Sequence, residues 1–185
     1  TLYTVTFDSN GGSAVDPQEV EEGNSAVLPD PEPSRTGYSF AGWYADAGLL
    51  SPWNFSTAIN SATTIYAKWT TNDYTISFDS RGGDAQSSIS VTWGNTYASL
   101  PVPVRTGYSF DGWYTAPTGG DLIENATVIT TAADHTLYAH WTALTATVSF
   151  DSQGGSAANP VSKVVTFDQA YGSLATTART GYSFD

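Results

Sequence analysis

Arg35-Thr36-Gly37-Tyr38-Ser39-Phe40 recurs letter for letter as Arg105–Phe110 and again as Arg179–Phe184. Each copy follows a Phe-Asp-Ser-x-Gly-Gly element, at Phe7–Gly12, Phe78–Gly83 and Phe150–Gly155. The first two copies lead into Gly-Trp-Tyr (Gly42–Tyr44, Gly112–Tyr114) and then Tyr-Ala-x-Trp (Tyr66–Trp69, Tyr138–Trp141). Phe7 and Phe78 stand 71 residues apart, and Phe78 and Phe150 stand 72 apart, so the chain is a tandem array. A residue that keeps this period is one the fold needs. A residue that occurs once is incidental, or a site of its own.

The period divides the chain into residues 1–70, 71–142 and 143–185. The third stretch stops before its Gly-Trp-Tyr and Tyr-Ala-x-Trp elements, and the chain has no Met. It reads as a unit cut short, and the whole as a piece of a longer protein. The period exceeds the 20–50 residues usual in solenoids, so each unit is expected to own a core. Units this small usually need a staple. With no Cys, disulfides are excluded. Aromatic residues, 14% of the chain, take their place by burying much apolar area each.

Tyr3-Thr-Val-Thr-Phe7, Tyr74–Phe78 and Ala146–Phe150 alternate with period two, which predicts half-buried strands with Tyr3, Val5 and Phe7 inward. Each ends at paired glycines that close a turn. Second strands are expected near Gln18–Glu22, Ile89–Trp93 and Lys163–Phe167. The Pro-rich stretch around Pro29, Pro31 and Pro33 leaves room for no more than a short helical turn. Gly37–Tyr44 reads as a third strand in which Gly42 marks a bulge, because Trp43 breaks the parity of Tyr38, Phe40 and Tyr44. Thr64–Trp69 and Leu137–Trp141 close the units. Four-residue connections without Gly or Pro predict closely coupled units in a rod-like array.

Six basic residues against eighteen acidic ones give a net charge of −12. Nucleic acid is a poor partner, since phosphates must be neutralised by Lys and Arg. An anionic membrane surface is disfavoured for the same reason, and no apolar run is long enough for membrane insertion. Low Lys with abundant Thr, Ser, Asn and Gly suits an exported protein.

Taken together, the three motifs resemble the Listeria–Bacteroides repeat family, also described as internalin-type B repeats. Its pattern runs F-x-S/A-x-G-G, R-x-G-Y-x-F-x-G-W-Y and L/I-Y-A-x-W. The first two units match throughout, and the third matches as far as it runs. The resemblance implies a mainly β fold of tandem small β-grasp-like units with little or no helix. The Pro-rich middle departs from a long β-grasp helix. It also implies a non-enzymatic place in bacterial cell-surface, cell-wall or secreted proteins, as spacer or adhesion modules. No catalytic residue and no cofactor come with it. Candidate partners are neighbouring repeats of the same chain and an unidentified protein or glycan ligand.

Several residues invite a sharper reading. Asp8, Asp79 and Asp151 keep the period, as do Arg35, Arg105 and Arg179, so they are expected to form structural pairs or backbone caps. The non-recurring acids, among them Glu19, Glu21, Glu22 and Glu32, lack the fixed spacing of a calcium loop and read as a solvated face. His135 and His140 lie five apart without Cys, a weak metal pattern. His140 replaces Lys68 and is expected to be exposed. That exchange also excludes a repeated Lys–Asn isopeptide bond, and no G-x-S-x-G elbow is present. Trp43, Trp69, Trp113 and Trp141 recur and are expected in the core. Trp53 and Trp93 do not, and are the candidates for exposed contacts to a glycan or protein; this binding-module reading is the rival to the spacer.

Overall fold

A computed structural model describes residues 1–185 and contains eleven strands and no helix. The strands are β1 Leu2–Asp8, β2 Gln18–Glu21, β3 Tyr38–Tyr44, β4 Thr63–Thr71, β5 Asp73–Asp79, β6 Ile89–Thr92, β7 Tyr108–Tyr114, β8 Leu122–Ile123, β9 His135–Ala143, β10 Thr145–Ser149 and β11 Ser162–Thr166. The expected strands are all present. The short β8 had no signal in the sequence, because two residues are too few to show a period.

By compactness the chain divides into two units. One comprises Thr1–Ile76, Ile89–Tyr97 and Ala126–His135; the other comprises Ser77–Ser88, Ala98–Asn125 and Thr136–Asp185. All five borders fall within the second repeat, so the compact units and the sequence period do not coincide.

In the first unit, β1–β4 form a sheet of order β2-β1-β4-β3. β1 and β2 are an antiparallel pair, Tyr3 opposite Val20. β1 and β4 run parallel, Phe7 beside Ile65, so the chain must cross over between β2 and β4. Alternation puts Val5, Phe7, Val20, Ile65 and Ala67 on one face, where they are buried with Trp43 and Ile59. Burying each Val, Ile or Phe among them is worth about 1.5–3 kcal/mol, which is how a small cysteine-free sheet holds. β3 pairs with β4, but its register slips between Phe40 and Trp43. Gly42, at φ +106°, takes up the slip, and Trp43 thereby turns to the same side as Phe40. Their rings meet edge to face at 5.4 Å, and Trp43 meets Phe7 at 5.1 Å.

The second repeat builds a sheet of order β6-β5-β9-β7-β8. Of its apolar residues, Ile76, Val91, Tyr97 and Ile129 are buried in the first compact unit, and Trp113, Leu137 and Ala139 in the second. The bulge recurs between Phe110 and Gly112. The third repeat forms the antiparallel pair β10-β11. Its apolar alternation does not yield the buried face seen on β1: Ala146 is exposed and Val148 and Phe150 are half-buried. In the first repeat β1 lies between β2 and β4, whereas β10 pairs with β11 alone.

Candidate functional site: the Arg-Thr-Gly-Tyr turns and junctions

The recurring Asp and Arg act on one turn from two sides. In Asp8-Ser9-Asn10-Gly11-Gly12 the residue after Ser adopts a left-handed backbone, at φ 47° for Asn10, 45° for Arg81 and 49° for Gln153. The aspartate caps it: Asp8 Oδ1 accepts the N–H of Asn10 at 2.9 Å, Asp79 that of Arg81 at 3.0 Å, and Asp151 that of Gln153 at 2.9 Å. Such a side-chain turn favours Asp and tolerates this backbone. The arginine grips the far side: Arg35 Nη1 donates to the carbonyl of Asn10 at 3.1 Å, and Arg179 Nη1 to that of Gln153 at 3.2 Å. The structure therefore brings Asp8 and Arg35 to the same turn through the backbone of residue 10, each spending its bonds on the main chain.

A tryptophan completes the turn. Trp69 Nε1 donates to Ser9 O at 2.8 Å and Trp141 Nε1 to Ser80 O at 3.0 Å. A Cβ at Gly12 or Gly83 would lie under 3.0 Å from the indole ring of Trp69 or Trp141. The second glycine of the pair is thus required by close packing, while the first supplies a positive φ, +83° at Gly11.

The arginines also lie over the next tyrosine: Arg35 is 4.0 Å from the ring centre of Tyr38, Arg105 3.7 Å from Tyr108 and Arg179 4.3 Å from Tyr182. Between them sits the motif glycine, at φ +78°, +82° and +82° for Gly37, Gly107 and Gly181. Here successive repeats meet. Asn72 donates its N–H to Gly37 O at 2.9 Å, and its own carbonyl accepts the N–H of Trp93 at 2.9 Å. The Trp93 ring then covers Gly37 so closely that a Cβ there would lie under 3.0 Å from Cγ, Cδ2 and Cε2. Ser39 Oγ adds a bond to Asn72 Oδ1 at 2.6 Å. This junction lies wholly within the first compact unit.

The second compact unit repeats the arrangement. Leu144 donates to Gly107 O and accepts from Phe167 N–H, both at 2.8 Å. The Phe167 ring covers Gly107 and meets Tyr108 edge to face at 5.6 Å. Tyr108 Oη donates to Asp168 at 2.9 Å, a bond that raises the phenol above its ordinary value of 10.0. In the first repeat the equivalent backbone bond runs from Glu22 N–H to Thr1 O, at 2.8 Å. Glu22, Trp93 and Phe167 therefore share one structural position.

This corrects the reading of Trp93 as an exposed contact: it is half-buried against Gly37. Comparing Glu22, Trp93 and Phe167 as one column is the signal that reveals it, since two of the three are aromatic. Trp53 is also half-buried, packed against the core around Trp43. Its backbone N–H donates to Trp43 O at 2.7 Å, the place Ile123 takes beside Trp113, so it is an apolar strand-side position. Nor is His140 exposed: half-buried, it stacks on Tyr114 at 3.9 Å and 7°. Lys68 lies over Tyr44 at 4.6 Å in the same way, and their exchange keeps a stacking role. His135 bonds Tyr97 Oη and Ala133 O, both at 2.9 Å, and no cluster of three or more His, Cys, Asp or Glu side chains has metal-binding geometry.

Comparison with known proteins fits a repeat architecture. A putative Gly-rich membrane protein of Evansella cellulosilytica is 38% identical over 86% of this chain and 18% of its own length. A putative membrane protein of the same organism is 38% identical over 84% of the chain and 23% of its own. Internalin H of Listeria monocytogenes is 37% identical over 76% of the chain and 25% of its own. The chain thus spans a quarter or less of each relative's length. The sequence profile of the Listeria-Bacteroides repeat domain matches residues 3–68, 74–140 and 147–185, and the chain belongs to that family.

Proposed function

We propose that this chain is a non-catalytic, extracellular repeat array that acts as a spacer or stalk in a bacterial surface protein, holding an adhesive region away from the envelope. The observation that carries the reading is the junction. Its backbone bonds and its ring-on-glycine contact link consecutive repeats at the same atoms in two places, Asn72–Trp93 and Leu144–Phe167. Three-residue contacts of this kind resist independent motion of neighbours far better than a flexible linker does. The names of its relatives, two membrane proteins and an internalin, support a surface location. An excess of twelve negative charges keeps such an array soluble and discourages lateral association.

The test displays the array on bacterial cells between a wall anchor and an epitope tag. Removing residues 1–142 lowers antibody access to the tag, and an unrelated rigid spacer of equal length restores it. If only the native array restores access, or if removal changes nothing, the spacer reading fails.

A further inference from the structure

Arg81 breaks the period. Its counterparts at the left-handed turn position are Asn10 and Gln153, and Asn tolerates that backbone better than a long side chain does. Asn10 spends its side chain within the first repeat, donating from Nδ2 to Ala67 O at 2.7 Å. Arg81 is exposed instead, and lines a hollow of about 420 Å3 with Arg105, Asp111, Thr118, His140 and Trp141. All six belong to the second compact unit. Arg105 packs across Gly82, where a Cβ would lie 3.4 Å from its Nε. Arg35 and Arg179 each give a bond to the turn carbonyl; Arg105 gives none. The chain's one ion pair joins the N-terminus to Glu22, so neither guanidinium in the hollow has a carboxylate partner. His140 donates from Nε2 to Ala116 O at 3.0 Å, because a carbonyl can only accept, and this leaves Nδ1 for a further bond. Asp111 accepts from Thr142 Oγ1 at 2.8 Å through Oδ2.

We propose that this hollow binds a hexuronate, a sugar ring carrying one carboxylate. The planar guanidinium groups of Arg81 and Arg105 match a carboxylate in fork geometry. Against Asp111 they leave one positive charge in excess among the lining residues, which suits a monoanion better than a phosphate monoester. The chain's overall negative charge does not forbid this, since at physiological salt charges beyond about 8 Å are largely screened. Asp111 narrows the choice further. It opposes a second anionic group but accepts from hydroxyls, so the ligand must carry hydroxyl donors beside its acid. Thr118 and His140 add polar partners, and the Trp141 indole supplies an apolar wall for a sugar ring. In the first repeat Asn10, Ala41 and Lys68 stand where Arg81, Asp111 and His140 do, so the site belongs to the second repeat alone. The assignment concerns one face of that repeat and stands whether or not the array is a spacer.

The test is an NMR titration of the full chain with sodium D-glucuronate at constant ionic strength. The Gly119 amide and the Trp141 indole N–H are expected to shift saturably, with a Kd in the millimolar range. Arg81→Asn installs the residue that the first repeat carries at this turn, so the fold is retained, and an unchanged spectrum elsewhere verifies it. The variant is expected to bind glucuronate at least about tenfold more weakly, as loss of a charge-assisted pair implies. D-glucose, which has the ring without the acid, and acetate, which has the acid without the ring, are each expected to bind the wild-type chain more weakly by a similar factor. No saturable shift, equal affinity for glucose or acetate, or equal affinity in Arg81→Asn overturns the proposal.

Discussion

The indole of Trp93 rests on Gly37, fifty-six residues earlier in the chain, at a distance that leaves no room for a Cβ. The contact, repeated by Phe167 on Gly107, gives these two glycines a packing reason beyond their backbone conformation. It also makes the three glycines a natural experiment. Gly37 and Gly181 share a φ of +78° and +82°, so they differ in the ring and not in the backbone.

Replacing each by Ala separates the two costs. Gly181→Ala meets only the penalty of a side chain in the left-handed region, about 1 kcal/mol. Gly37→Ala adds overpacking against Trp93, for a total of about 2–4 kcal/mol. Urea unfolding of the two variants reads the difference. Equal losses would mean that the ring contact contributes nothing.

At the turn, Trp69 Nε1 bonded to Ser9 O predicts that Trp69→Phe costs about 1 kcal/mol, since a part-buried carbonyl loses its partner along with some packing. Trp43 offers a contrast. Its Nε1 is buried with no partner, as is that of Trp53, whereas Trp113 at the equivalent place donates to Pro101 O at 2.7 Å. Trp43→Phe is therefore expected to lower the melting temperature less than Trp113→Phe.

The caps give a graded series. Asp79→Asn keeps an acceptor for Arg81 N–H and is expected to be nearly neutral, while Asp79→Ala loses the cap at a cost of about 1 kcal/mol. Arg105→Lys loses the planar stack on Tyr108 and a similar amount. If neither Asp79→Ala nor Arg105→Lys lowers the melting temperature, these residues have no structural role.

The second junction is sensitive to alkali. Tyr108 donates to Asp168, and that bond to a carboxylate holds the phenol above 10.0. A raised value in the fold means that the bond's contribution is whole below the unfolded phenol's range and is lost as pH rises through the folded value. Ultraviolet titration of the phenolate band is expected to show two tyrosines ionising late, Tyr108 and Tyr97, the latter raised by burial, and Asp168→Asn to bring only Tyr108 back toward the others.

Much of this was legible in the sequence. Alternation in Tyr3–Phe7 fixed β1 and its buried face, and the broken parity at Trp43 placed the bulge at Gly42, because both are local patterns with a defined period. Trp93 was not legible in the same way. Its partner lies in another repeat, and local periodicity carries no information about a contact across 56 residues. Asp8 and Arg35 were visible as a recurring pair, but that they meet through the carbonyl and N–H of residue 10 depends on backbone geometry that letters do not encode. Trp53 misled because its counterpart is Ile123, an exchange between two apolar residues of different shape at one strand-side position.

The central claim is that a ring on a glycine couples one repeat to the next, and a double-mutant cycle on Gly37 and Trp93 tests it most directly. Wild type, Gly37→Ala, Trp93→Ala and the double variant are unfolded in urea under identical conditions. The account predicts strong non-additivity, about 1–3 kcal/mol, because once Trp93 is gone the new methyl at residue 37 meets no ring and only its backbone penalty remains. Additive losses, within about 0.5 kcal/mol, would contradict it.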